Sequence, residues 1–358
     1  MSFALRVHQI SITVYHFHMK LIIPMAGRGT RLRPHSLTTP KPLLPVAGPT
    51  LIERIVRTFG NTINRPITEI AFILGDFGPE VEEQLAVMTR KFGATPVFYH
   101  QKEALGTAHA IYCAEPSLNG EVIVAFADTL FQLSGQVDLE EADSIIWLKK
   151  VQDPSQFGVA VLDGKRITRF VEKPETSVSD QAIIGVYYFR EGERLREELK
   201  YLIDNNIRGH KNEFDLTDAI DRLLQQKAVF RAAGVAEWLD FGTIDAWLSS
   251  TAAVMDRVDP KNQIDRFFPD TRIIQPCFIG DNVSISGSTI GPYTTISEGC
   301  SITDSKISNS IIRENATIEK CDLDHSTVGV STQLHSCRQE LHVGDYAIIK
   351  PHTVRSEK

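Results

Sequence analysis

A glycine-rich segment near the start of the chain carries two cations at short spacing. Gly27 and Gly29 are followed by Arg31, and Lys41 lies ten residues further on. Glycine lets backbone N–H groups approach phosphate oxygens closely, and the cations could hold those oxygens where charge builds up in a transfer reaction. The segment is not a Walker A loop, because no Gly-Lys-Ser/Thr follows. It is not a dinucleotide fingerprint either, because Leu32 stands at the third glycine position.

The charge distribution also favours an anionic ligand. The 358 residues include 38 Lys and Arg against 45 Asp and Glu, a net charge of −7, which argues against a general nucleic-acid-binding protein. Residues 1–52 hold no acid, the first being Glu53, yet carry six Lys or Arg. A positive region on an acidic protein favours a small anionic ligand, and a chance basic face is the alternative.

Strand and helix patterns alternate over residues 19–255. Short apolar runs separated by helical periodicity predict an α/β catalytic domain: a Rossmann-like, mostly parallel mixed sheet with flanking helices. The predicted strands are Leu21–Ile23, Ile70–Leu74, Pro96–Tyr99, Val122–Phe126, Ser144–Leu148, Val159–Leu162, Ile167–Phe170 and Ile183–Phe189. The predicted helices are Leu51–Phe59, Val81–Phe92, Gly106–Cys113, Glu193–Asp204 and Asp215–Gln226.

After a polar linker at 256–265, the helix patterns stop and another period begins. Apolar residues recur at steps of five or six, and any three consecutive steps sum to 16 or 17. This hexapeptide pattern predicts a left-handed parallel β-helix over 266–350, with about four coils that bury one apolar column by stacking; residues 351–358 form a tail. The column comprises Ile279, Ile285, Ile290, Ile296, Ile302, Ile307, Ile312, Ile318, Leu323 and Val328.

Residues 1–18 lack the features of a signal peptide. We expect them to be a non-native or unstructured extension, with Met19 as the natural start and an extra strand as the alternative; His8, His16 and His18 are not expected to bind metal.

The five cysteines include no Cys-x-x-Cys pair, which favours reduced thiols in a cytoplasmic protein. No apolar run reaches the 18 residues that a membrane helix needs.

The glycine-rich segment resembles the signature of one family. Residues 27–34 (GRGTRLRP) followed by 40–45 (PKPLLP) are similar to the signature of the sugar nucleotidyltransferases, or nucleotide-sugar pyrophosphorylases. The resemblance covers residues 19 to about 250, and β-helix tails recur in several branches of the family. It implies an enzyme that makes a nucleotide sugar and pyrophosphate from a nucleoside triphosphate and a sugar 1-phosphate.

The resemblance also implies a nucleotide site. In pyrimidine-specific members a Gln and a Gly five residues later contact the base, and Gln101 and Gly106 keep that spacing, which favours dTTP or UTP over GTP. An amide suits this task because it both donates and accepts hydrogen bonds; a surface Gln before a helix is the alternative. Pro24 and Met25 depart from the usual Leu and small residue, so the contacts to the base or ribose are expected to differ. The implied nucleotide-binding residues are Gly27, Gly29, Thr30, Gln101, Gly106 and Thr107.

The metal and sugar sites are implied in the same way. Asp128 follows a predicted buried strand at the carboxyl edge where α/β proteins bind ligands. By resemblance, Asp128 and Asp240 together bind one Mg²⁺, which takes hard oxygen ligands; either acid alone could instead cap a helix or a turn. The implied sugar-phosphate side comprises Gly158, Glu172, Lys173 and Gly185.

The implied reaction needs no general base, because the attacking sugar-phosphate oxygen is already negative. The protein positions the groups and neutralises charge. The catalytic residues expected are Arg31 at the departing pyrophosphate, Lys41 near the α-phosphorus and Lys173 at the nucleophile.

Several alternatives stay open at this point. The expected substrates are dTTP and glucose 1-phosphate; UTP with glucose or N-acetylglucosamine 1-phosphate, or GTP with mannose 1-phosphate, are alternatives. A non-catalytic regulatory subunit could share the fold. The β-helix is expected to drive homo-oligomerisation or to carry a regulatory surface, and acyltransferase activity through a histidine is the alternative. No nucleic acid or membrane partner is expected. The candidate histidines are His325, His335, His342 and His352.

Overall fold

The computed structural model describes residues 18–63, 65–135, 137–176, 178–257 and 268–350. The expected extension up to residue 17, the expected linker from residue 258 onwards and the tail at 351–358 lie outside the described residues. No helix in the described ranges combines the length and the apolar character needed to cross a bilayer.

The N-terminal part folds as one mixed sheet covered by helices on both faces. Leu21 and Ile23 enter one apolar cluster and Ile22 enters another, so successive side chains of the first strand are buried on opposite faces. The strands are β1 Met19–Pro24, β2 Ile67–Leu74, β3 Thr95–His100, β4 Glu121–Ala125, β5 Thr129–Leu133, β6 Ser144–Lys150, β7 Val159–Asp163, β8 Arg166–Val171, β9 Gln181–Phe189 and β10 Phe230–Asp240. The helices are α1 Leu51–Thr62, α2 Pro79–Lys91, α3 Thr107–Tyr112, α4 Gly192–Asp204, α5 Leu216–Gln225 and α6 Ile244–Met255.

The sheet order is β3-β2-β1-β4-β9-β6-β10-β8-β7, and β5 pairs with the final part of β10. Pairing is parallel from β3 to β4 and between β6 and β10, and antiparallel elsewhere. The sheet is mixed, as expected, but parallel pairing does not dominate. One reason is the short turn at Gly164, with φ +61°, which joins β7 to β8 and forces an antiparallel hairpin.

Three elements were not predicted: β5, β10 and α6. The middle of β10 is Ala232-Ala233-Gly234, whose residues have low strand propensity. The strand forms because β6 pairs with its first half and β5 with its second half. Its last residue is Asp240, so this strand carries one of the two expected metal ligands.

The C-terminal part is a left-handed parallel β-helix, here called the solenoid. Its strands form three parallel sheets of four, five and five strands. Equivalent residues stack in register, as in Ile279 on Ile296 and Ile296 on Ile312, and all ten predicted column residues are buried. The strands are β11 Arg272–Ile273, β12 Cys277–Ile279, β13 Ser284–Ser286, β14 Thr289–Ile290, β15 Thr294–Ile296, β16 Ser301–Thr303, β17 Lys306–Ser308, β18 Ile311–Ile312, β19 Thr317–Glu319, β20 Asp322–Asp324, β21 Thr327–Val328, β22 Gln333–His335, β23 His342–Val343 and β24 Ile348–Ile349.

The solenoid extends one coil beyond the predicted column. Leu334 continues the column, and β23 and β24 then add strands to two of the sheets. The step from Leu334 to Val343 is nine residues, which breaks the five-or-six rule, so the column pattern stops before this last coil although the predicted range of 266–350 includes it. One flat side, formed by β12, β15, β18, β21 and β23, faces the N-terminal sheet domain, where Ile311 and Phe278 join its apolar cluster.

Candidate active site

The carboxyl ends of β1, β3 and β4 open onto a cavity of about 360 Å³. This edge of an α/β sheet is where such folds bind ligands. Seven of the expected site residues line the cavity: Gly27, Gly29, Lys41, Gln101, Gly106, Thr107 and Asp128. Lining residues that were not predicted as site residues include Ala104, Phe126 and Glu213.

The loop after β1 folds back so that Gly29 contacts the residues around Lys41. Gly29 has φ +55°, and its carbonyl accepts a hydrogen bond of 2.7 Å from Ser36 Oγ. A Cβ on Gly29 would lie 3.3 Å from the Lys41 Cβ, whereas a Cβ on Gly27 would meet no protein atom within 4 Å. Glycine at position 29 therefore serves the loop's own geometry, and the space beside Gly27 is open to the cavity.

Two acids and two cations lie together at one side of the cavity. Lys41 Nζ is 3.9 Å from Asp128 Oδ2. Thr129, the residue after Asp128, pairs with Asp240 across β5 and β10. The Asp128 carbonyl accepts a hydrogen bond of 3.3 Å from the N–H of Phe241, the residue after Asp240, so the two acids are neighbours. Arg31 Nη2 and Asp240 Oδ2 both lie 3.0 Å from the point where a Cβ on the glycine at position 242 would stand. The structure thus brings Arg31, Lys41, Asp128 and Asp240 into one group.

The electrostatics of Lys41 follow from its burial between these charges. Burial lowers the pKa of Lys41 below its usual value, while the carboxylates of Asp128 and Asp240 raise it and Arg31 lowers it further. An ammonium group that is poorly hydrated and close to two acids is well placed to exchange those partners for incoming phosphate oxygens.

Two hydrogen-bond acceptors near the N-terminal end of α3 hold the side chain of Gln101. Its Nε2 donates to the Gly106 carbonyl at 3.1 Å and lies 3.1 Å from His109 Nδ1. Because a carbonyl only accepts, the amide nitrogen faces Gly106, and His109 Nδ1 must then accept as well. Burial lowers the pKa of His109, which favours the neutral ring that this arrangement needs.

Gly106 and Thr107 also have structural partners. A Cβ on Gly106 would lie 2.5 Å from the carbonyl oxygen of Phe214, and the φ of Gly106 is +117°. The Thr107 hydroxyl accepts a hydrogen bond of 2.9 Å from the N–H of Leu216, the first residue of α5. Both residues line the cavity and at the same time fasten α5 beside it.

The expected sugar-phosphate residues also form a group. Glu172 Oε1 is 3.4 Å from Lys173 Nζ, and Glu172 Oε2 accepts a hydrogen bond of 2.7 Å from Thr217 Oγ1. A Cβ on Gly158 would lie 2.9 Å from the same Oε2 atom, so glycine makes room for the carboxylate. Gly185, with φ +81°, packs against the Phe126 ring that lines the cavity.

Sequence reasoning missed Thr217, Asp215 and His109. Thr217 is 45 residues from Glu172, and no local pattern links them. Asp215 accepts from the His210 N–H at 2.8 Å, and burial together with the Glu172 charge raises its pKa to about 6. His109 lies three residues after Gly106, but a single histidine at that position does not by its type indicate a contact to Gln101.

The solenoid histidines are engaged in ion pairs or hydrogen bonds. His325 Nε2 is 3.2 Å from Asp245, His335 Nδ1 is 3.1 Å from a glutamate of the adjacent coil, and His342 Nδ1 is 3.0 Å from Thr327 Oγ1. His352 lies outside the described residues.

Known proteins resemble the chain over both of its parts. It is 29% identical to the glucose-1-phosphate thymidylyltransferase of Streptomyces antibioticus over 350 residues, covering 90% of this chain and 95% of that protein. The Streptomyces griseus protein of the same name is 26% identical, with 90% and 96% covered. The bifunctional protein GlmU of Methanococcus aeolicus is 29% identical over 63% of this chain and 51% of its own length.

Solved structures and a family model agree with these matches. A UDP-glucose pyrophosphorylase complexed with UDP-glucose superposes with a TM-score of 0.55 at 23% identity, covering 67% of this chain and all of that one, which shows the shared fold. A putative glucose-1-phosphate thymidylyltransferase from Bacillus anthracis gives a TM-score of 0.55 at 25% identity, with 67% and 96% covered. The family model described as nucleotidyl transferase matches residues 20–257, and the chain therefore belongs to the nucleotidyl transferase family.

Proposed function

We propose that this nucleotidyltransferase joins dTTP to glucose 1-phosphate and releases pyrophosphate. The observation that carries the proposal is the convergence of Arg31, Lys41, Asp128 and Asp240 beside the cavity that Gln101 also lines. The two Streptomyces thymidylyltransferases support the choice of substrates, because they match this chain along nearly its whole length, solenoid included. UTP in place of dTTP is the nearest alternative.

The hydrogen bonds of Gln101 support a base with a ring N–H. Both hydrogens of its Nε2 have acceptors in the protein, Gly106 O and His109 Nδ1. The amide oxygen is then the group left to contact the base, and it accepts a hydrogen bond. Thymine and uracil carry an N–H on the ring edge, whereas cytosine carries a bare nitrogen there. This argument favours dTTP or UTP over CTP.

The phosphates of the nucleotide would lie along the loop after β1. Gly27, Gly29 and Thr30 offer backbone N–H groups, and Arg31 and Lys41 provide positive charge. A sugar-phosphate oxygen attacks the α-phosphorus in line, the new P–O bond forms, and the bond to the β-phosphate breaks with its electrons leaving on pyrophosphate. Arg31 stabilises that departing charge, and Lys41 holds oxygens near the α-phosphorus.

The acids fit a magnesium site completed by substrates. Asp128 and Asp240 are adjacent, and across the described ranges no cluster of three or more His, Cys, Asp or Glu is arranged to hold a metal by itself. Mg²⁺ usually binds one or two carboxylates and fills its remaining positions with waters and phosphates. When bound, it would supply Lewis-acid stabilisation of phosphate charge.

The sugar 1-phosphate would lie on the other side of Phe126. Lys173 would contact its phosphate, and Glu172 would accept from sugar hydroxyls with the backbone of Gly158 and the wall at Gly185 beside it. Thr217 donates to one Glu172 oxygen, which fixes the carboxylate orientation. A carboxylate whose orientation is fixed in this way accepts a hydrogen bond only from a hydroxyl in the right position, so it can distinguish sugars that differ in the position of that hydroxyl.

The test is pyrophosphate release with Mg²⁺ across five nucleoside triphosphates and the 1-phosphates of glucose, mannose, galactose and N-acetylglucosamine. We expect dTTP with glucose 1-phosphate to give the highest kcat/KM. Arg31→Ala and Asp128→Asn should each lower kcat by about 10²-fold, as the loss of one preorganised electrostatic contact does. Asp204→Asn, the same chemical change on exposed α4, should leave kcat unchanged.

The outcomes separate the alternatives. A different leading pair would replace the substrates, and near-normal turnover in Arg31→Ala or Asp128→Asn would remove those residues from their roles. Folded protein without turnover for any pair would overturn the proposal and favour a non-catalytic subunit.

A further inference from the structure

The loop that carries Lys41 lies between the two parts of the molecule. We call residues 34–48 the lysine loop. Its first half, up to Thr39, contacts the solenoid, residues 45–47 contact the sheet domain, and Gly48 at its end contacts the solenoid again. Lys41 itself points to Asp128 at the cavity. The polar contacts on each side show which part of the protein holds which half.

The sheet domain holds the second half of the loop. Arg54 of α1 donates to the carbonyls of Val46 and Ala47 at 2.7 and 2.9 Å. Trp247 of α6 donates from its indole nitrogen to the Pro45 carbonyl at 2.8 Å. These bonds fix the backbone after Lys41.

The solenoid holds the residues just before Lys41. Arg313, which follows β18, donates from Nη2 to Thr39 Oγ1 at 3.0 Å, and Thr38 donates to the Asp345 carboxylate. Arg313 Nη1 is 3.4 Å from Asp345 Oδ1, which also accepts from the Val330 N–H at 2.8 Å. The side chains of Arg313 and Asp345 are only 6% and 7% exposed. A buried ion pair resists displacement, because moving one partner leaves the other charge uncompensated.

Two further contacts close this interface. His35 is fully buried, and its Nε2 lies 2.7 Å from Thr327 Oγ1 of β21. The ring of Phe278 covers Gly48, where a Cβ would come within 2.5 Å of a ring carbon. The loop is therefore anchored to the solenoid at both of its ends as well as at Thr38 and Thr39.

We propose that the solenoid positions the catalytic lysine: Arg313 and Asp345 fix Thr38 and Thr39, and thereby the backbone that presents Lys41. This inference rests on the proposed function of Lys41. Arg313 and Asp345 are positioning residues, since they act through the loop and do not reach the cavity. Placement errors of about 1 Å at a phosphate-binding group can cost up to about 10²-fold in rate.

The test replaces the Thr39 hydroxyl, which is the smallest change at the interface. Thr39→Val removes the acceptor for Arg313 at constant volume, and Thr39→Ser keeps it. We expect Thr39→Val to lower kcat by about tenfold while the KM for sugar 1-phosphate changes less than about twofold, and Thr39→Ser to retain wild-type kcat. Glu319→Gln, in a solenoid ion pair with His335, is the control and should change neither constant.

Amide hydrogen exchange of residues 34–44 gives a readout that does not need substrate. The N–H groups of Leu37, Leu43 and Leu44 donate within the loop to Pro34, Pro40 and Lys41 carbonyls, so they report its order. Thr39→Val should speed their exchange, and Thr39→Ser should not. Unchanged exchange in Thr39→Val overturns the inference, as does a fall in thermal stability with wild-type kcat. If the wild type has no turnover for any pair, the proposed function fails, and exchange alone decides whether the solenoid positions the loop.

Discussion

His109 should control which bases this enzyme accepts, because it orients the amide of Gln101. His109→Leu removes the Nδ1 acceptor that lies 3.1 Å from Gln101 Nε2 and places an apolar side chain of similar size at the same position of α3. His109→Asn is the matched control, since its side-chain oxygen can occupy the Nδ1 position and accept the same hydrogen bond. Gly106 O remains as an acceptor in both variants.

The size of the effect follows from the loss of one neutral hydrogen bond. Such a bond contributes about 0.5–1.5 kcal/mol, which corresponds to about two- to twelvefold in an equilibrium or rate ratio. In His109→Leu the amide loses one of the two hydrogen bonds that hold its orientation, so turning its NH₂ group towards a base costs less free energy. We therefore expect the kcat/KM ratio of dTTP to CTP, measured with glucose 1-phosphate, to fall by about that factor. In His109→Asn the ratio should stay near that of the wild type.

The pH dependence gives an independent check of the same bond. Burial lowers the pKa of His109 below 6.5, so the ring stays neutral at neutral pH and becomes protonated only under more acidic conditions. A protonated Nδ1 donates and can no longer accept from the amide, which favours the turned amide, so the wild-type preference for dTTP over CTP should weaken as the pH falls through the lowered pKa. His109→Asn should show no such change. Equal dTTP to CTP ratios in His109→Leu and His109→Asn would refute the reasoning.

Three further predictions concern stability and reactivity. Gly106→Ala should lower the free energy of unfolding by about 2–6 kcal/mol, because φ is +117° and the new Cβ meets the Phe214 backbone; Gly93→Ala, with φ +75° but open space, should cost less, and equal losses in urea unfolding would contradict the clash. Burial lowers the pKa of His35 to about 4, so between pH 6.5 and 4 the unfolded chain binds a proton that the folded one does not. The free energy of unfolding should therefore fall by on the order of 3 kcal/mol as the pH drops from 6.5 to 4. In thermal melts His35→Gln should reduce this dependence of stability on pH, and an unchanged dependence would argue against the assignment. Burial raises the pKa of the Cys300 thiol to about 12, so iodoacetamide at about pH 8 should modify it only after unfolding, and rapid labelling of the native protein would show otherwise.

Periodicity predicted the solenoid well because each coil repeats the same environment. Ile296 sits between Ile279 and Ile312, so every step of the pattern reports the same buried column. The strand β10 offered no such repetition, since Ala232 to Gly234 become a strand only through pairing with β6. The predominance of parallel pairing was overestimated for the same reason: pairing partners depend on tertiary contacts that no local pattern records.

In the candidate site, too, contacts between residues close in sequence were predictable and contacts between distant residues were not. Gln101 and Gly106 are five residues apart, and a short segment places both at the cavity mouth. The bond from Thr217 to Glu172 spans 45 residues and depends on how α5 packs beside β8. The contact of Arg313 with Thr39 spans 274 residues and joins two different architectures.

Docking along one flat side of the solenoid also limits how this protein can evolve. Phe278, Arg313, Thr327 and Asp345 contact the sheet domain from four different coils on that side. Neighbouring coils lie about 4.8 Å apart, so a duplicated or deleted repeat before Asp345 would shift every later residue by that distance. Thr38 and Asp345 would then separate. Repeat gain is therefore not expected between Phe278 and Asp345, whereas a coil added beyond Asp345 would change the length of the solenoid without moving the coils that touch the loop.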